Sequence, residues 1–411
     1  MLNSLHIRLS VMMFLQFFIW GAWFVTLGTY LSYSLNFDGT QIGSAYSANP
    51  LAAMISPLIV GFMAGKLLST RNMLASLHLG GAVLLYFASQ ATEFSHVYAL
   101  LLGYSLCYMP TLALSASLCF QSIEHPSQHF PYIRVFGTLG WIAAGLSVGF
   151  WDVEETNLPL QLSAVASLVL GAYCFSLPQP KAKEQATLPA SQAGLKSAFG
   201  FDALSLLKNR EFLVLFIGSM LVCIPLAFYY NFTNLFLNDL NVENAAGKMT
   251  IGQMSEVLFM LLMPLMFKRL GYKKMLLIGV AAWSIRYGLF AYNSELNLWP
   301  IYIGIALHGI CYDFFFVTGQ VFADKKAPHH LKDGAQSLMT FCTYGVGMFI
   351  GSHVSGYVVE HYTEASGILW TQVWLVPAAM AIGVFVLLAA LFKEPKAEQD
   401  LVTERAKADS A

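Results

Sequence analysis

The sequence has 411 residues, of which 57% are hydrophobic and only 11% are charged, with a formal net charge of −1. A soluble globular protein carries roughly a quarter charged residues, because its surface must be solvated. The mean hydropathy of +0.60 therefore excludes an ordinary soluble protein and predicts that much of the chain faces a lipid bilayer. The near-neutral net charge gives no basic character, so we expect no nucleic acid as a partner.

The first apolar run, from Val11 to about Tyr33, is too long for the apolar region of a cleaved signal peptide, which has about 7–15 residues. We interpret it as a first transmembrane helix that is retained. A membrane-spanning helix needs about 20 mostly apolar residues. Twelve segments meet this requirement: 8–33, 41–65, 72–91, 96–120, 131–151, 159–177, 211–237, 247–267, 273–293, 299–322, 334–359 and 370–392.

A hydrophilic stretch with three prolines and four lysines separates the first six predicted spans from the last six. The predicted organisation is an N-terminal six-helix half at 1–177, a cytoplasmic linker at 178–209, a C-terminal six-helix half at 210–392 and a cytoplasmic tail at 393–411. The predicted fold class is an all-α membrane protein.

Basic residues test this topology. If both termini are cytoplasmic, every one of the 22 Lys and Arg residues falls on the inner side except Lys248, Arg134 and Arg286. The outer loops instead carry acids, such as Asp152 and its neighbours Glu154 and Glu155. The positive-inside rule predicts this asymmetry, and one missing or extra span would destroy it.

The two halves also share a short basic turn between their second and third spans. In the first half, it runs from Gly61 through Lys66 to Arg71, and in the second half, from Lys268 through Gly271 to Lys274. The repeat resembles the major facilitator superfamily, although Gly65 stands where that superfamily usually has Asp. The resemblance implies two six-helix halves that give alternating access to a site near the middle of the membrane.

Enzymatic and metal-binding motifs do not survive inspection. Residues 61–66 resemble a phosphate loop, but Leu67 replaces the Ser or Thr that such a loop requires. The pair His329 and His330 has no acidic or cysteine partner at ligand spacing, and the six cysteines form no Cys-x-x-Cys pair. We therefore expect neither an enzyme nor a bound metal or organic cofactor.

Charged residues inside predicted spans are costly and indicate function by default. Four such residues stand out: Glu256, Asp313, Arg286 and Arg134. They could equally form fixed ion pairs that lock helices together, and Arg134 could extend its guanidinium to the membrane interface. A carboxyl group held in an apolar setting can take up and release a proton, so Asp313 or Glu256 could couple transport to a proton gradient.

Helical spacing places polar and aromatic residues on shared faces. Gln253 and Glu256 are three residues apart, so an amide and a carboxylate lie on one face and could hold vicinal hydroxyls. Similar polar and aromatic faces occur on four other spans: Gln16, Trp20 and Trp23; Arg134, Thr138 and Trp141; Ala227, Tyr230 and Asn234; His308 and Tyr312. Rings that stack on a planar group, beside groups that bind hydroxyls, would suit a nucleoside or a sugar.

Five motifs carry a narrower resemblance, and they occur in order on the expected spans. They are Phe14-Leu-Gln-Phe-Phe-Ile-Trp-Gly-Ala-Trp23, Tyr108-Met-Pro-Thr111, Phe130-Pro-Tyr-Ile-Arg-Val-Phe-Gly-Thr-Leu-Gly140, Gln253-Met-Ser-Glu256 and Tyr312-Asp-Phe-Phe315. The sequence is similar over nearly its whole length to the bacterial nucleoside:proton symporter family. That resemblance implies nucleoside binding by the residues at Arg134, Thr138, Gln253 and Glu256, and proton coupling at Asp313. It also implies a monomer in the bacterial inner membrane, with the proton as coupling ion.

The sequence departs from the best-understood members on two spans. Ala227 and Tyr230 replace amide side chains on the seventh span, and His308 replaces a tyrosine on the tenth. These changes resemble a less characterised branch of the family and affect the choice of substrate more than the fold. His308 could also join the proton path, since histidine titrates near neutral pH.

The predicted function is proton-coupled import of nucleosides. The alternative is a proton-coupled carrier of another small polar solute, such as a sugar or a nucleoside derivative. A receptor or channel, in which the charged residues only lock the fold, is a third possibility. The residues predicted to bind the substrate are Arg134, Thr138, Gln253, Glu256, Tyr230, Asn234, His308, Tyr312, Gln16 and Trp20, and those predicted to couple protons are Asp313 and Glu256.

Overall fold

The computed structural model describes residues 4–63, 69–179, 201–292 and 297–393, and the structural statements below concern those residues. Three predicted features lie wholly or largely outside them: the basic turn at Gly65 and Lys66, most of the linker 178–209, and the tail after 393. Within the described ranges, the only strands form one small antiparallel hairpin, in which Thr363–Glu364 pairs with Gly367–Ile368.

Helices account for the other elements of the described ranges. The first seven are α1 (Ser4–Trp23), α2 (Leu27–Tyr33), α3 (Gly39–Met63), α4 (Thr70–Gln90), α5 (Phe94–Ser122), α6 (Pro126–Phe150) and α7 (Leu158–Cys174). The later ones are α8 (Arg210–Asp239), α9 (Ala245–Ala291), α10 (Trp299–Ala306), α11 (His308–Tyr312), α12 (Thr318–Lys326), α13 (Lys332–Thr340), α14 (Met348–His361) and α15 (Trp370–Leu391). Short 3-10 turns cover Phe201–Lys208 and His329–Leu331, and π-helical turns cover Asp313–Val317 and Phe341–Gly347.

Local chemistry explains several helix boundaries. The Ser69 side chain accepts a hydrogen bond from the backbone N–H of Asn72 and caps the start of α4. Asp38 does the same for α3, where its Oδ1 lies 2.8 Å from the Gln41 nitrogen. Gly271 interrupts the 47-residue α9 with a φ of 70°, which a residue with a side chain rarely adopts. The break falls at the basic turn predicted between the eighth and ninth spans.

Eight helices of the described ranges are long and apolar enough to cross a membrane, judged by length and composition. The Ser4–Tyr33 pair counts as one of them and α9 as another, although α9 contains two helical segments joined at Gly271. This agrees with the predicted all-α, polytopic membrane protein. The exact number of twelve crossings and the cytoplasmic position of the termini stay predictions.

The chain packs as two compact units. The first contains Met1–Ala198 together with Tyr230–Thr250, and the second contains Phe199–Tyr229 together with Ile251–Ala411. The segment Tyr230–Thr250 therefore packs with the first six predicted spans, although by sequence it belongs to the seventh and eighth.

Small residues allow close helix packing within the first unit. A Cβ atom added to Gly21 of α1 would lie 3.0 Å from the Trp141 Cα of α6, so these helices touch along their backbones. Ala22, Ala144, Val148 and Ala246 form a buried apolar cluster beside this contact. In the second unit, Met263, Met275 and Phe314 form a comparable cluster.

Candidate substrate and proton-coupling site

Within the first unit, Arg134 and Thr138 lie one turn apart on α6. Arg134 is exposed, and its guanidinium carbon lies 4.1 Å from the centre of the Phe17 ring. A guanidinium over a ring face is held by the ring quadrupole. Thr138 is half-buried. The structure therefore presents a cation and a hydroxyl on one helix face.

Aromatic rings cluster around Trp20 in the same unit. The Trp20 ring centre lies 5.5 Å from Phe24, 5.5 Å from Trp141 and 5.9 Å from Tyr108. Tyr230 extends the cluster, because its ring lies 5.7 Å from Phe24. The buried Trp20 indole N–H has no hydrogen-bond partner among the described residues. These rings, the Trp20–Tyr230 cluster, bring together two residues predicted to bind substrate.

Gln16 lies in the packed interior, not at an accessible surface. Its Nε2 donates to the Thr111 hydroxyl at 2.8 Å, and its Oε1 lies 2.9 Å from His78 Nε2. The Tyr108 hydroxyl donates to the Gln16 backbone carbonyl at 2.6 Å. Both ends of the Gln16 amide are therefore engaged within the unit. Sequence reasoning missed His78, whose partner lies 62 residues away in the chain.

Asn234 is also fully buried, with partners at both ends of its amide. Its Oδ1 accepts a hydrogen bond from the Thr29 hydroxyl at 2.6 Å, and its Nδ2 donates to Glu154 Oε2 at 2.7 Å. Glu154 is only 2% exposed, whereas the sequence grouped it with the outer-loop acids. Asn234 thus faces Glu154, and its side chain is not open to solvent.

In the second unit, Glu256 lies beside a stack of rings. Its Oε2 is 3.9 Å from Nε2 of the fully buried His308. The imidazole of His308 stacks on Tyr229 at 5.1 Å between ring centres, and on Tyr312 at 5.8 Å. The structure brings the predicted residues Glu256, His308 and Tyr312 together, and adds Tyr229, which the sequence did not single out.

Arg286 lies behind this stack and is fully buried. Its guanidinium carbon lies 4.3 Å from the Tyr229 ring centre and 4.9 Å from that of Trp283. Its Nε donates to the Gly304 carbonyl at 2.9 Å. Two aromatic faces and a backbone carbonyl are thus among the groups that hold this cation.

Gln253 lies near Glu256 on α9, and Tyr312 lies near His308 on α11. Gln253 is buried with 9% exposure, one turn before the half-buried Glu256 on α9. The half-buried Tyr312 forms a hydrogen bond between its hydroxyl and that of Tyr344. Gly309 allows α11 to pack closely against α9, because a Cβ there would lie 2.5 Å from the Ser255 carbonyl oxygen and 2.7 Å from the Glu256 nitrogen.

Asp313 follows Tyr312 and begins a π-helical turn. The residue is fully buried, and neither carboxyl oxygen has a hydrogen-bond partner among the described residues. An ionised carboxylate in such surroundings is very costly, and a protonated carboxyl group costs much less. π-helical turns are frequent at functional positions. The geometry is suited to a group that holds a proton in this conformation.

Comparison with known proteins identifies the family. The family described as "Nucleoside H+ symporter" matches residues 3–397. The Escherichia coli (strain K12) protein YegT is 42% identical over 403 residues, covering 94% of this chain and 93% of YegT. The xanthosine permease of the same organism is 35% identical over 407 residues, covering 95% of this chain and 96% of the permease.

A solved structure agrees with this result. A crystal structure of nucleoside transporter NupG superposes with a TM-score of 0.87 at 33% sequence identity, covering 96% of this chain and 100% of that chain. The fold is of the major facilitator superfamily type, and the chain is a multi-pass protein of the bacterial inner membrane. Because the match to this family extends over residues 3–397, the chain belongs to the nucleoside H+ symporter family.

Proposed function

We propose that this protein imports nucleosides by symport with protons, through alternating access of two six-helix halves. The observation that carries the proposal is the group formed by Glu256, His308, Tyr229 and Tyr312. A carboxylate that accepts hydrogen bonds from hydroxyls lies there beside rings that can stack on a base. Membership of the nucleoside H+ symporter family supports the same substrate class.

In this proposal, Gln253 and Glu256 bind the ribose hydroxyls, while His308, Tyr312, Trp20 and Tyr230 contact the base. Arg134 and Thr138 supply polar contacts from the first half. Gln16 and Asn234 support the site from inside the packed unit, because their amides are already engaged.

Asp313 is the proposed proton carrier, with Glu256 as the second acid. The buried carboxyl group of Asp313 lacks a hydrogen-bond partner among the described residues, so protonation favours this conformation. Release of the proton would then favour a conformation in which the carboxylate meets water or a donor. Such a difference between states is what couples a proton to a conformational change.

The proposed topology has twelve spans with both termini in the cytoplasm. The halves are 1–177 and 210–392, joined by the linker 178–209 and followed by the tail 393–411. The distribution of Lys and Arg supports this orientation. We further propose that the protein works as a monomer in the bilayer.

Uptake by proteoliposomes tests the function. The purified protein is reconstituted and offered labelled uridine, adenosine, inosine, xanthosine and a set of sugars, with and without an inwardly directed proton gradient. The proposal predicts that at least one nucleoside accumulates above its external concentration only when the gradient is present. Gradient-driven accumulation of a sugar alone would favour the alternative carrier, and binding without flux would favour a receptor.

A further inference from the structure

Glu154 is a buried acid that the proposed transport mechanism does not use. It lies between α6 and α7 with 2% exposure, whereas the adjacent acids Asp152 and Glu155 are exposed. A buried carboxylate is costly unless its oxygens accept hydrogen bonds. The contacts of Glu154 therefore indicate what its burial achieves.

Three N–H groups of the segment Tyr230–Thr250 bind this carboxylate. Oε2 accepts from Asn234 Nδ2 at 2.7 Å and from Asn238 Nδ2 at 3.0 Å. Oε1 accepts from the backbone nitrogen of Ala246 at 2.8 Å, in the first turn of α9. An acid at a helix N-terminus satisfies an otherwise unpaired N–H and interacts favourably with the helix dipole. One side chain thus holds the end of α8 and the start of α9.

Glycines of α6 let the same segment approach closely. A Cβ on Gly145 would lie 2.8 Å from the Thr250 Cγ2 and 3.3 Å from the Ala246 carbonyl oxygen. A Cβ on Gly149 would lie 2.7 Å from the Gly247 nitrogen. Such backbone proximity is typical of tightly packed membrane helices. The start of α9, from Ala246 to Thr250, therefore packs closely against α6.

Two further hydrogen bonds join the segment Tyr230–Thr250 to α2. The Thr29 hydroxyl donates to Asn234 Oδ1 at 2.6 Å, and the Tyr33 hydroxyl donates to the Asp239 carboxylate. Asn234 lies one helical turn after Tyr230, whose ring contacts Phe24 in the Trp20–Tyr230 cluster. Contacts made at Asn234 are transmitted to Tyr230 through one turn of rigid helix.

We propose that Glu154 is a positioning residue: within the first unit, it docks the segment Tyr230–Thr250 on α2 and α6 and so holds Tyr230 in the Trp20–Tyr230 cluster. Its effect on substrate affinity rests on the proposed function, in which Tyr230 contacts the base. Its effect on docking does not.

The test measures docking directly, without substrate. Spin labels are attached at Glu93→Cys and Glu243→Cys, two exposed positions of the first unit, in full-length protein whose native cysteines have been replaced. The distance distribution is measured by pulsed electron paramagnetic resonance. We expect one dominant distance in the parent. Glu154→Gln should add a population of molecules with a longer distance between the labels. The new amide group places an N–H donor where the carboxylate accepted from Asn238. We expect the ratio of docked to undocked molecules to fall by about tenfold or more.

Asp152→Asn is the matched control, since it removes the same charge from the same turn at an exposed position. It should leave the distance distribution unchanged. Asn238→Ala provides a milder second variant if Glu154→Gln does not fold, and it should lengthen the distance in a smaller fraction of molecules. Unchanged distributions in folded Glu154→Gln and Asn238→Ala, or an equal change in Asp152→Asn, would overturn the proposal.

A substrate measurement separates this proposal from the proposed function. In Glu154→Gln, the Kd of whichever nucleoside of the panel binds best should rise by the factor by which the docked fraction falls, about twofold for a tenfold shift from a docking ratio of about ten. If the distances shift but no nucleoside binds the parent protein, docking by Glu154 stands and the proposed substrate is wrong. If the distances shift while nucleoside affinity is unchanged, the role of Tyr230 positioning is overturned.

Discussion

At the scale of single residues, the proposed recognition of substrate depends most on Glu256. We expect Glu256→Gln to lower nucleoside uptake by about tenfold or more, because hydrogen bonds to a charged group are worth about 1.5–3 kcal/mol. Initial uptake rates in proteoliposomes measure the effect. Glu364→Gln, at an exposed position of the hairpin, is the control and should transport at the parent rate. Full-rate transport by Glu256→Gln would remove this residue from the site.

A substitution at Asp313 tests whether proton coupling can be lost while nucleoside binding is kept. We expect Asp313→Asn to retain exchange of labelled for unlabelled nucleoside, because the amide resembles the protonated carboxyl group that the buried site favours. Accumulation against a concentration gradient should be lost, since no proton can be released. Counterflow and gradient-driven uptake are compared in the same vesicles. Continued accumulation by Asp313→Asn would exclude Asp313 as the proton carrier.

Gln16 distinguishes a supporting role from a contact with substrate. Gln16→Leu leaves His78 Nε2 without its buried partner, at a cost of about 1–3 kcal/mol, and removes one hydrogen bond to the Thr111 hydroxyl. We expect the Tm to fall by several degrees while KM changes less than about twofold. Thermal unfolding and uptake kinetics are measured on the same preparation. A large rise in KM with an unchanged Tm would return Gln16 to the substrate contacts.

At the scale of helices, close packing at Gly309 sets the position of Glu256. A Cβ at Gly309 would lie 2.5 Å from the Ser255 carbonyl oxygen, so Gly309→Ala must displace the first half of α9. We expect a loss of about 1–3 kcal/mol in stability and a clear fall in uptake. Gly288 lies in α9, and a Cβ added there meets no atom within 4 Å, so Gly288→Ala is the control. It should leave Tm and uptake unchanged, and equal behaviour of the two variants would contradict the packing explanation.

The helices themselves were largely predictable, because apolar length and basic loop residues follow directly from the cost of placing polar groups in lipid. The predicted break between the eighth and ninth spans coincides with the positive φ of Gly271. Glu256 and His308 were each predicted as site residues from helical spacing and family resemblance, but their contact with each other was not predicted. Their contact depends on Gly309, whose role appears once the two helices are in place.

Other features could not be predicted from the sequence alone. Asp152, Glu154 and Glu155 look alike in the sequence, yet only Glu154 turns inward, because the N–H groups that bind it come from residues at least 80 positions away. The packing of the Arg286 guanidinium on Tyr229 and Trp283 was likewise not predicted. Such partners are set by tertiary packing, and no local pattern encodes them.

At the scale of the whole molecule, we propose that each transport cycle carries a nucleoside and a proton inward together. The most direct test adds nucleoside to proteoliposomes in weakly buffered medium and follows external pH with no imposed gradient. We predict that the medium becomes more alkaline as nucleoside enters, and that Asp313→Asn abolishes this change while retaining exchange. Nucleoside entry by the parent protein with no accompanying alkalinisation would contradict proton symport.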